Sequence, residues 1–413
     1  MPGHGATRSF HYYPIVLIGL TFAITSASVE LASPPSPQNL VIGTSTALSG
    51  PAKEIGLDVV GGINAAFIEA NRNASQSGFV VQLVTRDDAY DPAKTAENME
   101  ALIKKDKVIA VLGNVGSPTA VVSVLMANEH RIPFIGAYSG AGLLRKSPPD
   151  RYVVNFRASY DEEVASMIRG FVDVAGVSPT SIAFFTQRDA FGDASFNGGH
   201  RELTQHNLPS GYFIPHLRYE RSGAGVESAV ADLLLLPETP RVVIMAGTYG
   251  PCAKFIQLAT ENGLNIQYAA VSFVGTASLI RDLGELAEGI IITQVVPSPE
   301  SDLPAAKTFR AALHASNPVA LPTFGAFEGY LASQILFRGI QASRLPVTPD
   351  SIIDALESLG DFDIGIGATL HLSESNHQAS HTIWPTRIID GKAIEFCWET
   401  LRLDTHHTGN VLH

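Results

Sequence analysis

Three hydroxyls in two glycine-rich loops have the chemistry to hold a small molecule in this 413-residue chain. Ser117 and Thr119 lie in Gly113-Asn114-Val115-Gly116-Ser117-Pro118-Thr119, and Ser139 lies in Gly136-Ala137-Tyr138-Ser139-Gly140-Ala141-Gly142. A hydroxyl can donate to a carboxylate or amide oxygen. Ser117 is expected to cap a helix that Pro118 begins, because proline suits the first helical position. The free N–H groups and positive end of that helix would then face whatever lies above the loop. Tyr138 adds an aromatic face. The same residues also fit two ordinary strand-to-helix loops with a good cap, so the loops alone leave both readings open.

Each loop follows a short apolar run, residues 108–112 and 132–135, of the kind that forms a strand buried on both faces. Residues 120–130 between them have helical spacing. In open α/β sheets ligands sit beyond the carboxyl ends of the strands, where both loops fall. The alternation of strand, loop and helix extends in both directions and predicts parallel sheets. Before the loops come strand 40–47, helix 58–71, strand 79–85 and helix 92–106. After them, residues 152–157 are extended, and Ser159-Tyr160-Asp161-Glu162 is a capping box opening a helix to about 175. A second series follows, with strands 181–185, 212–217, 241–245, 266–271 and 287–294 and helices starting near Phe191, Val226 and Pro251. Residues 297–304 form a polar link. Helices 305–316, 324–344 and 349–359 and strands 365–370, 383–389 and 393–398 close the chain. Phe191, Thr248, Tyr249, Ser272 and Phe273 lie in or just after strand-end loops of the second series and are candidates to face a cleft.

Other reactive residue types have plainer readings. Asp87 and Asp88 are adjacent on an extended segment and point to opposite sides, which favours loop hydrogen bonding over a catalytic pair. His377 and His381 would share a face only on a helix, and their region reads as strand and loop, so no metal is expected. No dinucleotide-binding glycine fingerprint follows the first strand, and neither a nucleophile elbow nor a phosphate-binding lysine loop occurs. Neither an enzyme nor a cofactor is expected. Cys252 and Cys397 could pair in an oxidising compartment, and their spacing does not decide it.

The formal net charge of −12 argues against a nucleic-acid binder, and 45% apolar residues suffice for one large or two medium globular domains. The first forty residues differ from the rest. Arg8 and the amino terminus are positive, residues 13–23 are apolar, and Thr25-Ser26-Ala27-Ser28 supplies small residues. This is the pattern of a secretory signal peptide over residues 1–27, cut near Ala27, with a linker over 28–39. The apolar run is short of the roughly 20 residues a membrane span takes.

Asp87-Asp88-Ala89-Tyr90-Asp91-Pro92, the Gly113 loop and Ile132-Pro133-Phe134-Ile135-Gly136, in that order and spacing, resemble the type I periplasmic binding proteins. The nearest branch is the leucine/isoleucine/valine-binding group of ABC-transporter receptors, and the resemblance runs from Leu40 to about Trp398. It implies an α/β type I periplasmic-binding-protein fold of two Rossmann-like lobes joined by three crossovers. Lobe I would hold residues 40–157 and 295–365, and lobe II residues 158–294 and 366–402, with a tail over 403–413. Hinge strands are expected near 155–159, 293–297 and 365–368. The implied function is an exported receptor that closes on a small molecule in the periplasm and delivers it to an ABC permease in the inner membrane. An alternative use of the same fold is a ligand sensor coupled to a regulator.

The resemblance also assigns site residues. Ser117 matches the family serine that holds the ligand carboxylate, and Phe191 matches an aromatic that packs on ligand. Ile55 sits where relatives touch the ligand side chain. Gly140 replaces a threonine, and Ser272 replaces the acidic residue that takes the ammonium of an amino acid. The relatives' disulfide between the loops that here hold Tyr90 and Gly116 is lost. A serine cannot supply a charge-assisted bond to an ammonium. The expected ligand is therefore amino acid-like, amide- or urea-like, or a carboxylic acid, with Tyr138, Tyr249 and Phe273 as its aromatic walls.

Mass spectrometry of the protein from a cell-envelope fraction should find an amino terminus near Ser28 or Ser33; a full-length, membrane-embedded chain would refute the cleavage.

Overall fold

A computed structural model describes residues 1–13, 37–72 and 78–401. The chain divides into two units, Met1–Ser36 and Pro37–His413. In the first, residues 1–13 form neither helix nor strand. The expected signal-peptide core, its cleavage site and the tail after Leu401 lie outside the described residues.

In the second unit the first strand series forms as read. β1 (Gln38–Thr46), β2 (Phe79–Asp87), β3 (Ala110–Leu112), β4 (Phe134–Ile135) and β5 (Val153–Val154) make a parallel sheet in the order β2-β1-β3-β4-β5. β3, β4 and β5 are buried throughout, as their unbroken apolar runs require. The order reverses between β1 and β3, so the loops that leave these strands diverge and open a crevice. Asn114 pins the two together there, its Oδ1 accepting from Ser45 N at 2.9 Å.

The second series repeats the plan. β6 (Ile182–Gln187), β7 (His216–Tyr219), β8 (Val242–Ala246), β9 (Gln267–Ala270) and β10 (Ile291–Gln294) run parallel. β11 (Gly360–Phe362) and β12 (Leu370–Leu372) form a separate antiparallel pair. β13 (Trp384–Ile389) adds antiparallel to β10, and β14 (Lys392–Glu395) to β13, giving the order β14-β13-β10-β9-β8-β6-β7. The capping box forms, with Ser159 and Glu162 satisfying each other's backbone N–H groups. The helix it opens changes to a π-turn over Gly170–Val174, where the Trp398 ring takes the space a Cβ on Gly170 would need.

Among the described residues the chain passes between the two large sheets three times. The first passage leaves β5 through residues 155–159, and the second follows β10 through residues 295–303. The third differs from expectation. Residues 365–368 lie in the β11–β12 connection, where Gly365 and Gly367 adopt positive φ and the Gly365 carbonyl accepts from Ala305 N at 3.0 Å. The passage comes later, around Gln378–Ser380. There Gln378 pairs in parallel with Asn155, and Ala379 and Ser380 donate to the carbonyls of Asn155 and Phe156 at 2.9 Å.

After the second passage the helix Phe324–Ala342 returns to the first sheet's helix Lys53–Arg72. The two backbones approach so closely that a Cβ on Gly62 would lie 1.7 Å from the Ala326 carbonyl oxygen. Cys252 is buried and Cys397 exposed, and both are free. Among the described residues no helix is long and apolar enough to cross a membrane.

Two neighbouring glycines give a paired test of this packing. A Cβ on Gly61 would meet nothing within 4 Å, so Gly61→Ala should stabilise by about 0.5–1 kcal/mol through helix propensity. Gly62→Ala should instead cost roughly 1–3 kcal/mol by forcing the helices apart. Urea denaturation measures both, and equal effects would contradict the close approach.

Candidate functional site

The loops after β1, β3 and β4 meet those after β6, β8 and β9 in a buried region between the sheets. Gly116 precedes the helix Ser117–His130 with φ +102°, and its missing Cβ leaves room for the Tyr90 ring, 2.1 Å from where that atom would sit. Ser117 is therefore the first helical residue and not the cap, which corrects the expected role: no side chain among the described residues caps this helix. Its hydroxyl instead shares a 2.8 Å hydrogen bond with Ser139 Oγ, and both residues are fully buried. Thr119 turns inward, donating to the carbonyls of Val115 (2.5 Å) and Gly116 (2.9 Å), so its hydroxyl holds the helix start.

Gly140 has a steric reason. A Cβ there would lie 2.6 Å from both the backbone nitrogen and Cδ1 of Tyr160, so the volume of a threonine side chain is already occupied. Tyr160 packs beside Ser117, its hydroxyl buried without a completed hydrogen bond and pushed by burial up to about 12. Its ring lies 4.9 Å from Phe191, and Phe191 lies 4.7 Å from Phe273. Phe273 also meets Tyr138 at 5.7 Å and Tyr90 at 6.1 Å. Rings carried by both sheets thus interleave around Phe273, and Gln187 Nε2 donates across to Tyr90 Oη at 3.2 Å.

The remaining candidates lie further out. Thr248 is buried, its Oγ1 has no hydrogen-bond partner among the described residues, and its backbone N–H donates to Tyr219 Oη at 3.0 Å. Tyr249 is half-buried with the Arg281 guanidinium 5.9 Å above its ring. Ile55 reaches over from the first-sheet side toward Gly275, 3.2 Å from where a Cβ would stand.

Ser272 donates both of its hydrogens to one carboxylate, from N to Glu163 Oε2 (2.7 Å) and from Oγ to Glu163 Oε1 (3.0 Å). Thr293 Oγ1 donates to Oε2 as well, at 2.8 Å. Arg157 is wholly buried, with Nη2 donating to Glu163 Oε1 at 2.9 Å and contacting Ser272 Oγ, and Nη1 3.5 Å from Glu328 Oε1. Burial disfavours the Arg157 charge, but Glu328 and Glu163 outweigh it and hold the guanidinium above its ordinary value. Burial raises the Glu163 carboxyl and pushes Glu328 up to about 7, with Arg157 opposing both. Arg145, lowered to about 10 by burial and by Arg157, clamps this corner through the carbonyls of Ser139, Ala141 and Arg157 at 2.9–3.1 Å.

Sequence reading did not find Arg157, Glu163, Tyr160 or Glu328. A signal existed for Glu328, an acidic residue inside the apolar helix Phe324–Ala342, where burial without a partner would be costly. Arg157 gave none, because Glu328 and Ser272 are remote in sequence and Glu163 follows the capping box as an ordinary first-turn acidic residue.

Asp87 and Asp88 organise loops. Asp87 accepts from the backbone of Leu48, Ser49 and Ala89, and Asp88 from Ser45 Oγ, Thr95 Oγ1 and Tyr90 N. His377 and His381 diverge, to the Val153 carbonyl and to Glu162, and the nearby His371 meets Asp361. A cavity of about 790 Å³ adjoins the buried region, with Ile55, Tyr138 and Ser272 in its wall. Another of about 530 Å³, lined in part by Arg241, Tyr268 and Arg387, adjoins the start of β9, away from the strand-end loops.

A family model described as "Periplasmic binding protein" matches residues 39–393. The Leu/Ile/Val-binding protein of Escherichia coli K12 is 23% identical over 311 residues, covering 75% of this chain and 81% of that protein. Among solved structures, a possible leucine/isoleucine/valine-binding protein from Rhodopirellula baltica SH 1 superposes with a TM-score of 0.85 at 43% identity, over 89% of this chain and 99% of the other. A substrate-binding periplasmic protein from Ralstonia solanacearum does so with a TM-score of 0.79 at 28% identity, over 86% and 100%.

The elevated Glu328 carboxyl has a consequence for stability. Between its ordinary value of 4.5 and about 7, the folded chain holds a proton that the unfolded chain has released, so this group's contribution falls as pH rises through that window. Glu328→Gln, neutral at every pH, should gain on the parent protein between pH 5 and pH 8 by on the order of 1–3 kcal/mol. Chemical denaturation at the two pH values measures this, and a difference independent of pH would sink the assignment.

Proposed function

Because the chain belongs to the periplasmic binding protein family, we propose that it is the exported receptor of an ABC importer. It closes two lobes around a small organic solute and presents that solute to a permease in the inner membrane. The observation that carries this reading is the interleaving of Tyr90 and Tyr138 from the first-sheet loops with Phe191 and Phe273 from the second. A solute lodged among them touches both lobes at once, and only contacts made in the closed state can favour closure. The lobes are linked by extended passages, the arrangement that permits hinge motion.

The site's chemistry narrows the solute. Leu/Ile/Val-binding relatives suggest an amino acid, but among the described residues the carboxylate touching Ser272 is that of Glu163, and Arg157 already meets its charge. A solute recognised through an acidic, amide or urea group, using the Ser117–Ser139 hydroxyl pair and the aromatic walls, fits these partners better than a branched-chain amino acid.

A thermal-shift panel of amino acids, amides, ureas and carboxylic acids tests the reading. A true solute at a hundredfold excess over its Kd should stabilise the fold by about 2.7 kcal/mol. Small-angle scattering with that solute should show a smaller radius of gyration. A panel in which no compound shifts the melting temperature would count against a solute receptor.

A further inference from the structure

The buried guanidinium at the centre of the site is incompletely used. Arg157 Nη2 is engaged by Glu163 and Ser272, but Nε and Nη1 have no hydrogen-bond partner among the described residues. Buried donors left unmet are costly, and a charged donor more so. Arg157 lies immediately behind the inner wall of the 790 Å³ cavity: its Cζ is 5.1 Å from the Tyr138 ring centre and Nη2 touches Ser272, and both of those residues line the cavity. Tyr138 follows β4 of the first sheet and Ser272 follows β9 of the second. The wall is thus made by one residue from each sheet, and a hinge movement that separated the two would join the cavity to the guanidinium.

Resting on the receptor reading above, we propose that the solute is a carboxylic acid with an extended apolar body, its carboxylate received by Arg157 Nε and Nη1, which make no hydrogen bond among the described residues although Nη1 is 3.5 Å from Glu328, and its body lying outward between Tyr138 and Ser272 in the cavity. The walls there are mainly apolar, with Ile55 and Phe324 from one lobe facing Ile280 and Ile394 from the other. Leu321 and Ile394 stand at the rim, 76% and 45% exposed, where the body of a bound solute would cover them. The volume is well within the range of sites that enclose drug-sized molecules.

Charge sets the direction of entry. Glu300 is exposed at the cavity edge, so a carboxylate is repelled there and attracted to Arg157 at the inner end, where Asp58, beside Gly325 and Tyr138, opposes part of that attraction. Lys392 also lines the outer part, but it is exposed and screened by solvent. Beside Arg157, Glu163 is already bound by Ser272 and Thr293. Burial pushes the Glu328 carboxyl up to about 7, and its protonated form can donate to an incoming carboxylate. An α-ammonium placed against Arg157 would meet a like charge.

Calorimetry at pH 7 with octanoate, 1-octanol, leucine and 8-aminooctanoate tests this. Octanoate should bind at least about tenfold more tightly than each of the other three, the worth of a charge-assisted head and an apolar tail. Arg157→Gln should weaken octanoate by more than about tenfold and leave 1-octanol unchanged. Since loss of a buried charge can unfold a chain, the exposed-rim variants Leu321→Glu and Ile394→Glu supply an independent reading. Each should weaken octanoate by about tenfold at an unchanged melting temperature. The inference is overturned if octanoate binds no better than 1-octanol, if 8-aminooctanoate binds best, or if the rim variants leave octanoate affinity intact. Leucine binding with compaction, without octanoate binding, overturns the inference and leaves the receptor function standing. Failure of every compound in the wider panel overturns the receptor function itself.

Discussion

A single buried guanidinium governs the arrangement of the region between the sheets. Arg157 comes from the first passage, Glu163 from the helix Tyr160–Arg169, and Glu328 from a helix that returns after the second passage. Ser272 and Thr293, from the ends of β9 and β10, complete the shell around Glu163. Taking such charges out of water is expensive, and removing one partner typically costs about 3–5 kcal/mol because the other is left exposed to a low dielectric. The residues around Arg157 are therefore constrained as a set, and the position of Ser272 cannot be understood apart from Glu163.

That constraint explains the surroundings of two site positions. Ser272 N–H and hydroxyl both serve Glu163, so the negative charge there stands one side chain away and is already matched. Gly140 makes room for Tyr160, whose backbone N–H donates to the Gly140 carbonyl at 2.8 Å. One position is thus committed to the ion cluster around Arg157, and the other to Tyr160 packed against Phe191.

The passages between sheets are linked in the same way. The third runs beside the first, hydrogen-bonded at Asn155 and Phe156, only one residue before Arg157. Gln378 Nε2 and His381 Nδ1 both reach Glu162, the capping-box residue of the helix that carries Glu163. Hydrogen bonds to His381, Ser159 and Gln378 overcome burial and hold the Glu162 carboxyl down at about 2, so it remains charged and keeps its partners at neutral pH. The passages, the helix start and the buried ion cluster thus form one continuous network.

Local pattern determined much of this protein in advance. Apolar runs set the buried strands, helical spacing set most helices to within a few residues, and Ser159 with Glu162 marked a helix start that forms as read. The order of short motifs identified the family and brought Ser117, Ser139, Tyr138, Phe191 and Phe273 to attention. These features rest on neighbours within a few positions, where spacing carries the information. Tertiary structure alone decided that Gly116 and not Ser117 precedes its helix, because the reason is the Tyr90 ring. It also decided that the third passage lies near Gln378, because its partner is Asn155. It decided that Arg157 meets Glu328, 171 positions away as the difference of their numbers, because charge pairing in a buried interior depends on proximity in space, and no period in the sequence records which distant helix will arrive there.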